Sequence, residues 1–281
     1  MLELPAPAKL NLFLHVTGRR DDGYHELQTC FQLLDHGDRI RLRRTESGGI
    51  RRLGGLPGLP PERDLVVRAA QRLQEATGCR LGAEIEVEKR LPAGAGLGGG
   101  SSDAATVLLG LDRLWGLGLS IEELARIGLE LGADVPVFVR GRSAWGEGVG
   151  ERLVPLPLPP RWYLVVTPEV AVSTAEIFAA PELTRNTPPI TISDFLAGAG
   201  RNDCQPVVAR RYPRIAELID RLSQFAPARL TGTGASVFCA FDEAAAARAA
   251  QAALPPEWQA FVARGVAVSP LHLALGLAES V

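Results

Sequence analysis

Apolar and polar residues alternate toward the end of PAKLNLFLHV at residues 7–16, the two-residue period of a strand with one buried face. Residues 28–34 and 38–44 read as two further strands. Residues 47–61, rich in Gly and Pro, read as an exposed hairpin or loop. Asp64 is placed to cap a helix that runs through Thr77 and ends at Gly78. A strand at 83–89 is followed by LPAGAGLGGGSSDAA at 91–105, which opens a helix from Ser101 to Trp115. Ser120 and Glu123 have the spacing of a capping box ahead of a helix to Leu131. Pro136 prevents GADVPVFVRG at 132–141 from continuing that helix.

Residues 143–150 read as a strand and turn. Prolines 155, 157, 159 and 160 make residues 153–160 a stiff connector between domains. A buried strand is predicted at 162–166, a short helix at 172–179 and a loop at 181–189. Ile215, Leu218, Ile219 and Leu222 form one face of a helix over 212–224. Strands at 229–231 and 237–241 flank the glycine turn GTGAS at 232–236. A helix at 244–254 and a strand at 261–268 follow. Strands and helices alternate without the strict beat of a doubly wound sheet, so the predicted class is α+β in two lobes, residues 1–158 and 159–281.

The stretch at 91–105 carries most of the chemistry. Gly94, Gly96, Gly98, Gly99 and Gly100 let backbone N–H groups converge without Cβ atoms in the way. The helix start adds unpaired N–H donors and the positive end of its dipole, which together suit phosphate. A Walker A loop needs Lys then Ser or Thr after its last glycine, and Gly100 is followed by two serines. Gly94, Gly96 and Gly99 match GxGxxG formally, but no acidic residue closes a second strand about 20 residues on. A phosphate loop of a different fold, or a linker with surplus glycine, are the remaining readings.

Composition narrows the class further. A net charge of −2 over 281 residues gives no electrostatic footprint for a nucleic-acid partner. Cys30, Cys79, Cys204 and Cys239 lie far apart, against a zinc site or a disulfide framework and in keeping with a reducing cytoplasm. The first residues do not read as a signal peptide, and no apolar run approaches membrane-spanning length. Of 30 Lys and Arg residues only Lys9 and Lys89 are lysines. A lysine kept in an arginine background suggests a place where a compact point charge is required.

Four further groups could carry chemistry. Lys9 and Asn11, two apart on a strand, face one side and are either a cleft wall or an edge device against aggregation. Asp134 is a turn former or a buried base. Tyr24 and His25 after a tight turn either stack on a ring or simply pack a loop. GTGAS either closes over phosphate or connects two strands, and Asn202 and Asp203 are placed to cap a helix.

Together these segments resemble the GHMP kinase superfamily across nearly the whole chain. PAKLNLFL is similar to its N-terminal motif, LPAGAGLGGGSSDAA to its ATP loop and GTGAS to its C-terminal glycine motif. GYHEL, GADVPVF, EGVGE at 147–151, RNTP at 185–188 and NDC at 202–204 resemble the branch that acts on a cytidylyl-bearing substrate, with Gln205 a departure where Glu is usual. The resemblance implies a ribosomal-protein-like N-terminal lobe and a ferredoxin-like C-terminal lobe. It implies transfer of the γ-phosphoryl group of ATP, accompanied by Mg2+, to the 2-hydroxyl of 4-diphosphocytidyl-2-C-methyl-D-erythritol in the non-mevalonate isoprenoid route.

Residue by residue, the resemblance makes Asp134 the base and Lys9 its partner. It gives Pro92, Ala93, Gly94, Ala95, Gly96, Leu97, Gly98, Gly99, Gly100, Ser101 and Ser102 to the nucleotide. Tyr24 and Phe178 would sandwich the cytosine and His25 would bond its edge. Asn11 and Thr174 would line the methylerythritol pocket, where Asp134 touches the acceptor hydroxyl. No metal-ligating residue is implied. The partner is a small molecule, with no nucleic acid or membrane, and the protein a cytoplasmic monomer or weak homodimer. Lys89 either reaches the nucleotide or solvates the rim.

Two other readings have distinguishing features. Kinases of homoserine, mevalonate or a sugar have no base for Tyr24 and His25 to meet. A nucleotide- or RNA-binding module without catalysis would show a basic face and no acid–lysine pair.

Overall fold

The computed structural model describes residues 1–54 and 60–277. Two long strands, β1 (Leu2–Arg19) and β2 (His25–Thr45), form an antiparallel hairpin from which the rest is built. β3 (Ile50–Leu53), helix α1 (Leu65–Thr77) and β4 (Gly82–Glu88) follow. Then come α2 (Gly99–Trp115), α3 (Ile121–Leu129), α4 (Val135–Arg140), β5 (Ala144–Gly148) and β6 (Arg152–Pro155). The second half contains β7 (Trp162–Thr167), α5 (Thr174–Ala179), α6 (Ile192–Leu196), α7 (Gln205–Arg211) and α8 (Pro213–Leu222). It closes with β8 (Ala228–Leu230), β9 (Val237–Phe241), α9 (Ala244–Ala252), β10 (Gln259–Val266) and α10 (Pro270–Leu275).

Where capping chemistry is local, boundaries fall as read. Asp64 accepts from the Val66 N–H, Gly78 is left-handed at the end of α1, and Ser120 with Glu123 closes a reciprocal capping box on α3. The helix expected to run to Leu131 ends earlier, at Leu129, and Pro136 sits in the first turn of α4, where its missing N–H costs nothing.

Long-range pairing corrects three expectations. The two strands expected at 28–34 and 38–44 are one, because β2 stays extended through residues 35–38. The interruption is absorbed in pairing instead: Pro7 faces Gly37 while Lys9 faces Leu33, a register shift that leaves three β2 residues opposite Ala8. The connector expected at 153–160 begins as β6, an edge strand on β5 that accepts Pro155 at its last position. Part of the exposed loop expected at 47–61 is β3, parallel to β4, and residues 55–59 lie outside the described residues.

The second edge of β2 is shared among three strands. Residues 27–31 pair with β5, 33–34 with β10 and 39–45 with β4. Through β10 the sheet continues as β10-β7-β9-β8, all antiparallel. With α7 and α8 before β8 and α9 before β10, this is the split βαββαβ order of a ferredoxin-like lobe. Two large apolar cores result. One lies under α1 and α2 and includes Leu4, Phe31, Ile40 and Phe138, and the other lies under α8 and α9 with Leu164, Val166, Ile215 and Leu218. The chain crosses between them at both ends. Leu14 and Val16 of β1 pack in the second core, and Leu271 and Leu275 of α10 pack in the first.

Asn202 and Asp203 do not cap α7, whose N-cap is Cys204. They hold strands instead. Asp203 accepts from the Val16 N–H at 2.9 Å. Buried Asn202 donates to the carbonyls of Leu230 and Gly232, each at 2.8 Å, and accepts from the Cys204 N–H at 2.9 Å. Asn202→Ala leaves three buried backbone groups without partners and is expected to lower stability by about 2–4 kcal/mol. Urea unfolding checks this, and a change under about 0.5 kcal/mol would contradict the bracing role.

Candidate active site

The β1 register shift aims Lys9 into the space between the lobes. Its side chain is 4% exposed, and its ammonium lies 3.2 Å from Asp134 Oδ2. It donates to Asn11 Oδ1 at 2.6 Å and to the Gly96 carbonyl at 3.3 Å, and it sits 5.6 Å from the Phe31 ring centroid. Asn11 is held in turn: its Nδ2 donates to Thr29 Oγ1 at 3.0 Å, and its backbone N–H donates to Thr231 Oγ1 at 2.9 Å. Asp134 occupies the N-cap position of α4 without making a side-chain cap bond. Its carboxylate, 35% exposed, is therefore left for Lys9 and for whatever enters the cleft.

The glycine stretch is the wall between two cavities. One, of about 410 Å³, contains Lys9, Asn11, Asp134, Thr174 and Phe178. The other, of about 360 Å³, is lined by Arg52, Leu65, Lys89, Pro92 and Ala93. Gly94, Gly96, Gly98 and Ser101 line both. Gly98 is left-handed and caps α2 without a side chain, and the first helical bond runs from Ser102 N–H to Gly98. The N–H groups of Gly99, Gly100 and Ser101 thus have no partner within the helix, a ready site for an anion.

Two of these glycines admit no substitute. A Cβ on Gly96, at φ +77°, would lie 2.3 Å from the Thr231 carbonyl oxygen, and one on Gly98, at φ +71°, would lie 2.8 Å from the Phe138 ring. The Gly96 contact closes the loop against the GTGAS turn: Thr231 Oγ1 donates to the Gly96 carbonyl, and Ser236 N–H to that of Ala95. Leu97 and Ser102 belong to this stretch but turn their side chains inward, 1% and 0% exposed.

Of the substrate residues expected from sequence, Asn11, Asp134, Thr174 and Phe178 meet in the larger cavity. Thr174 shares a 2.8 Å hydroxyl contact with Thr233 of the GTGAS turn. Tyr24 does not join them; it is 64% exposed at the hairpin tip, and the ring beside Phe178 is His25, stacked with centroids 5.1 Å apart. Sequence reasoning passed over Arg185, which donates from Nε to His25 Nε2 at 3.1 Å and from Nη2 to the Phe178 carbonyl at 2.8 Å. The RNTP motif was its only trace.

Lys89 neither reaches freely into the nucleotide space nor solvates a rim. It pairs with Asp38 and, at 2.9 Å, with Asp103 of α2. Asp38 also accepts the N–H groups of Arg90 and Leu91, at 2.6 and 2.8 Å, so the cluster pins the entrance of the glycine stretch to β2. Burial works against the Lys89 charge, but Asp103 and Asp38 outweigh it and hold its pKa above the ordinary value. Burial drives Asp103 from 3.8 up to about 7, with Lys89 opposing and Asp38 assisting.

Two family models match the chain, GHMP kinases N terminal domain over residues 64–142 and GHMP kinases C terminal over residues 183–258. The chain belongs to the GHMP kinases. A protein of Alkalilimnicola ehrlichii named 4-diphosphocytidyl-2-C-methyl-D-erythritol kinase is 62% identical over 95% of this chain and 92% of its own length. One of the same name from Halorhodospira halophila is 62% identical over 96% and 95%. A crystal structure of 4-(cytidine 5'-diphospho)-2C-methyl-D-erythritol kinase superposes with a TM-score of 0.82 at 36% identity, over 94% of this chain and all of the other. Within the GHMP kinases the chain is a member of the 4-diphosphocytidyl-2-C-methyl-D-erythritol kinase family. A homoserine kinase of Cytophaga hutchinsonii, 19% identical with a TM-score of 0.70 over 95% of each chain, shares the fold.

The Asp103 shift has a signed consequence. Between pH 4 and 7 the folded chain holds a proton that the unfolded chain releases, so this group's contribution to stability falls as pH rises through that window. Asp103→Asn removes the decline. Its stability relative to the parent is expected to rise by more than about 1 kcal/mol between pH 4 and pH 8. Melting curves across that range check it, and parallel pH profiles for the two proteins would contradict it.

Proposed function

We infer that this chain transfers the γ-phosphoryl group of ATP to the 2-hydroxyl of 4-diphosphocytidyl-2-C-methyl-D-erythritol, in the mevalonate-independent route to isoprenoid precursors. The observation that carries this reading is the placement of Lys9 and Asp134 on one side of a glycine wall whose other side faces a second cavity. We take the protein to be a monomer or weak homodimer working on small molecules. Among the described residues no helix is long and apolar enough to cross a membrane, and we place the protein in the cytoplasm.

The nucleotide binds along the cavity of Pro92, Ala93 and Lys89 with its phosphates on the unpaired N–H groups of Gly99, Gly100 and Ser101. Backbone donors thereby do what the lysine of a Walker loop does elsewhere. Mg2+ arriving with the triphosphate would shield its phosphate charge. Ser101, which lines both cavities, would offer it a hydroxyl; among the described residues no cluster of three His, Cys, Asp or Glu forms a separate cage.

The acceptor hydroxyl sits between Asp134 and the phosphate site. Asp134 takes its proton as the oxygen attacks phosphorus in line, and the bond to the bridging oxygen of ADP breaks. The Lys9 ammonium, fixed by Asn11 and Gly96, faces the transferring oxygens and offsets their charge. Asn11 and Thr174 orient the methylerythritol unit. Phe178 and His25 receive the cytosine at the outer end, and Tyr24, exposed at the hairpin tip, is the second ring of the sandwich.

ADP release from ATP with the cytidylyl substrate, run beside homoserine, mevalonate and galactose, tests the reading. Release with the cytidylyl compound alone is expected. Release with another acceptor alone keeps the Lys9–Asp134 chemistry and overturns the substrate. ATP binding without release, joined to a salt-sensitive shift of RNA, favours a non-catalytic module instead.

Two variants probe the chemistry. Asp134→Asn is expected to cut kcat at least roughly a hundredfold while ATP still binds, measured by steady-state turnover and nucleotide titration. Lys9→Arg is expected to lose most activity as well, because the chamber fits a point charge and a planar fork does not replace it. Full activity of either protein would remove that residue from its role.

A further inference from the structure

Arg185 makes four hydrogen bonds in a small space. Its Nη1 donates to the Leu183 carbonyl at 3.0 Å, and its Nη2 to the carbonyls of Phe178 and Ala180 at 2.8 and 2.7 Å. Its Nε donates to His25 Nε2 at 3.1 Å. A guanidinium has donors only and stays charged at any physiological pH. The imidazole nitrogen facing it must therefore accept and carries no proton. A neutral imidazole has one N–H, so the proton of His25 is on Nδ1, which meets no protein partner among the described residues. Burial, Arg185 and Arg19 all push the His25 pKa below its ordinary value, which keeps the ring neutral at pH 7.

His25 lies at the start of β2 and stacks on Phe178, which lines the acceptor cavity. A base entering that end meets a ring whose free nitrogen is a donor. The hydrogen-bonding edges of the two pyrimidines differ at this point. Cytosine N3 is a bare acceptor, whereas uracil N3 carries a hydrogen. A fixed Nδ1–H bonds the first and opposes the second.

We propose that Arg185 is a specificity-determining positioning residue: by holding His25 in its Nδ1–H form, it makes the protein choose a cytidylyl over a uridylyl substrate. This rests on the cytidylyl substrate proposed above. Arg185 touches no reacting atom. It acts through the tautomer of His25 and, through the Phe178 and Ala180 carbonyls, on the position of the stacked ring.

The first test needs no variant. Nitrogen-15 NMR of the full-length protein with labelled histidine reads the protonation of each His25 nitrogen directly at pH 7. A protonated Nδ1 and a bare Nε2 are expected, and a protonated Nε2 overturns the proposal. The second test compares KM and kcat for the cytidylyl substrate and its uridylyl analogue. The parent is expected to prefer the former, and Arg185→Met to narrow the ratio of kcat/KM roughly tenfold to a hundredfold, chiefly through KM. Arg185→Lys, which keeps a donor near Nε2, is expected to restore part of the preference. If Arg185→Met keeps the parent's discrimination, the proposal falls while the substrate reading stands. If the parent turns over neither compound, the substrate reading itself falls, and the proposal with it.

Discussion

An ammonium group shut away from water must be solvated by protein, and the fold between the lobes is organised around that requirement at Lys9. An unpaired charge in such a place would cost several kcal/mol. Its partners come from separate segments: Asp134 ahead of α4, Asn11 two residues along β1, and the Gly96 carbonyl from the glycine stretch. The β1 register shift turns Lys9 inward, the closure of the glycine stretch on Thr231 brings the Gly96 carbonyl to it, and Asp134 stands at the N-cap of α4 without a side-chain cap bond. This is the pair to which the proposed chemistry gives the roles of base and charge-offsetting ammonium.

β2 makes this convergence possible. One edge carries β1 throughout, and the other is divided among β5, β10 and β4. The two-residue contact with β10 is the seam through which the ferredoxin-like sheet joins the first. Because β1 supplies Leu14 and Val16 to the second core and α10 supplies Leu271 and Leu275 to the first, the lobes are stitched twice. A sheet continuous across the seam gives both walls of the cleft a common reference. That matters for phosphoryl transfer, where errors of about 1 Å in positioning are expensive.

Local chemistry was legible in the sequence and distant pairing was not. Asp64, Gly78, Ser120 and Glu123 fix helix ends through contacts within a few residues, so their spacing suffices. The helix start after the glycine stretch was legible because strand, loop and helix adjoin in the sequence. The single course of β2 was hidden, since Asp35-His36-Gly37-Asp38 has turn composition and only its partners keep it extended. The role of Lys89 was hidden for a similar reason: Asp38 lies 51 residues away along the chain and Asp103 lies 14. Asn202 looked like a cap because a short polar side chain before a helix usually is one, whereas here two strand-end carbonyls compete successfully for its amide. Helix α4 was missed because Pro136 reads as a breaker, α6 although Thr191 and Asp194 have the spacing of a capping box, and α10 as a six-residue segment too short for a period.

The scarcity of lysine acquires a physical meaning beside the glycine stretch. In a chain that otherwise uses arginine for positive charge, both lysines abut it. A Cβ at Gly98 would lie 3.1 Å from Lys9 Cε, and one at Gly99 would lie 3.3 Å from Lys89 Nζ. The loop must be glycine to admit the side chains that stand against it, and those side chains must be slender to let the loop approach. Lys9 is held by Asp134 on the side of the larger cavity, and Lys89 by Asp38 and Asp103 on the side of the smaller. The wall is thus clamped between two ammonium groups.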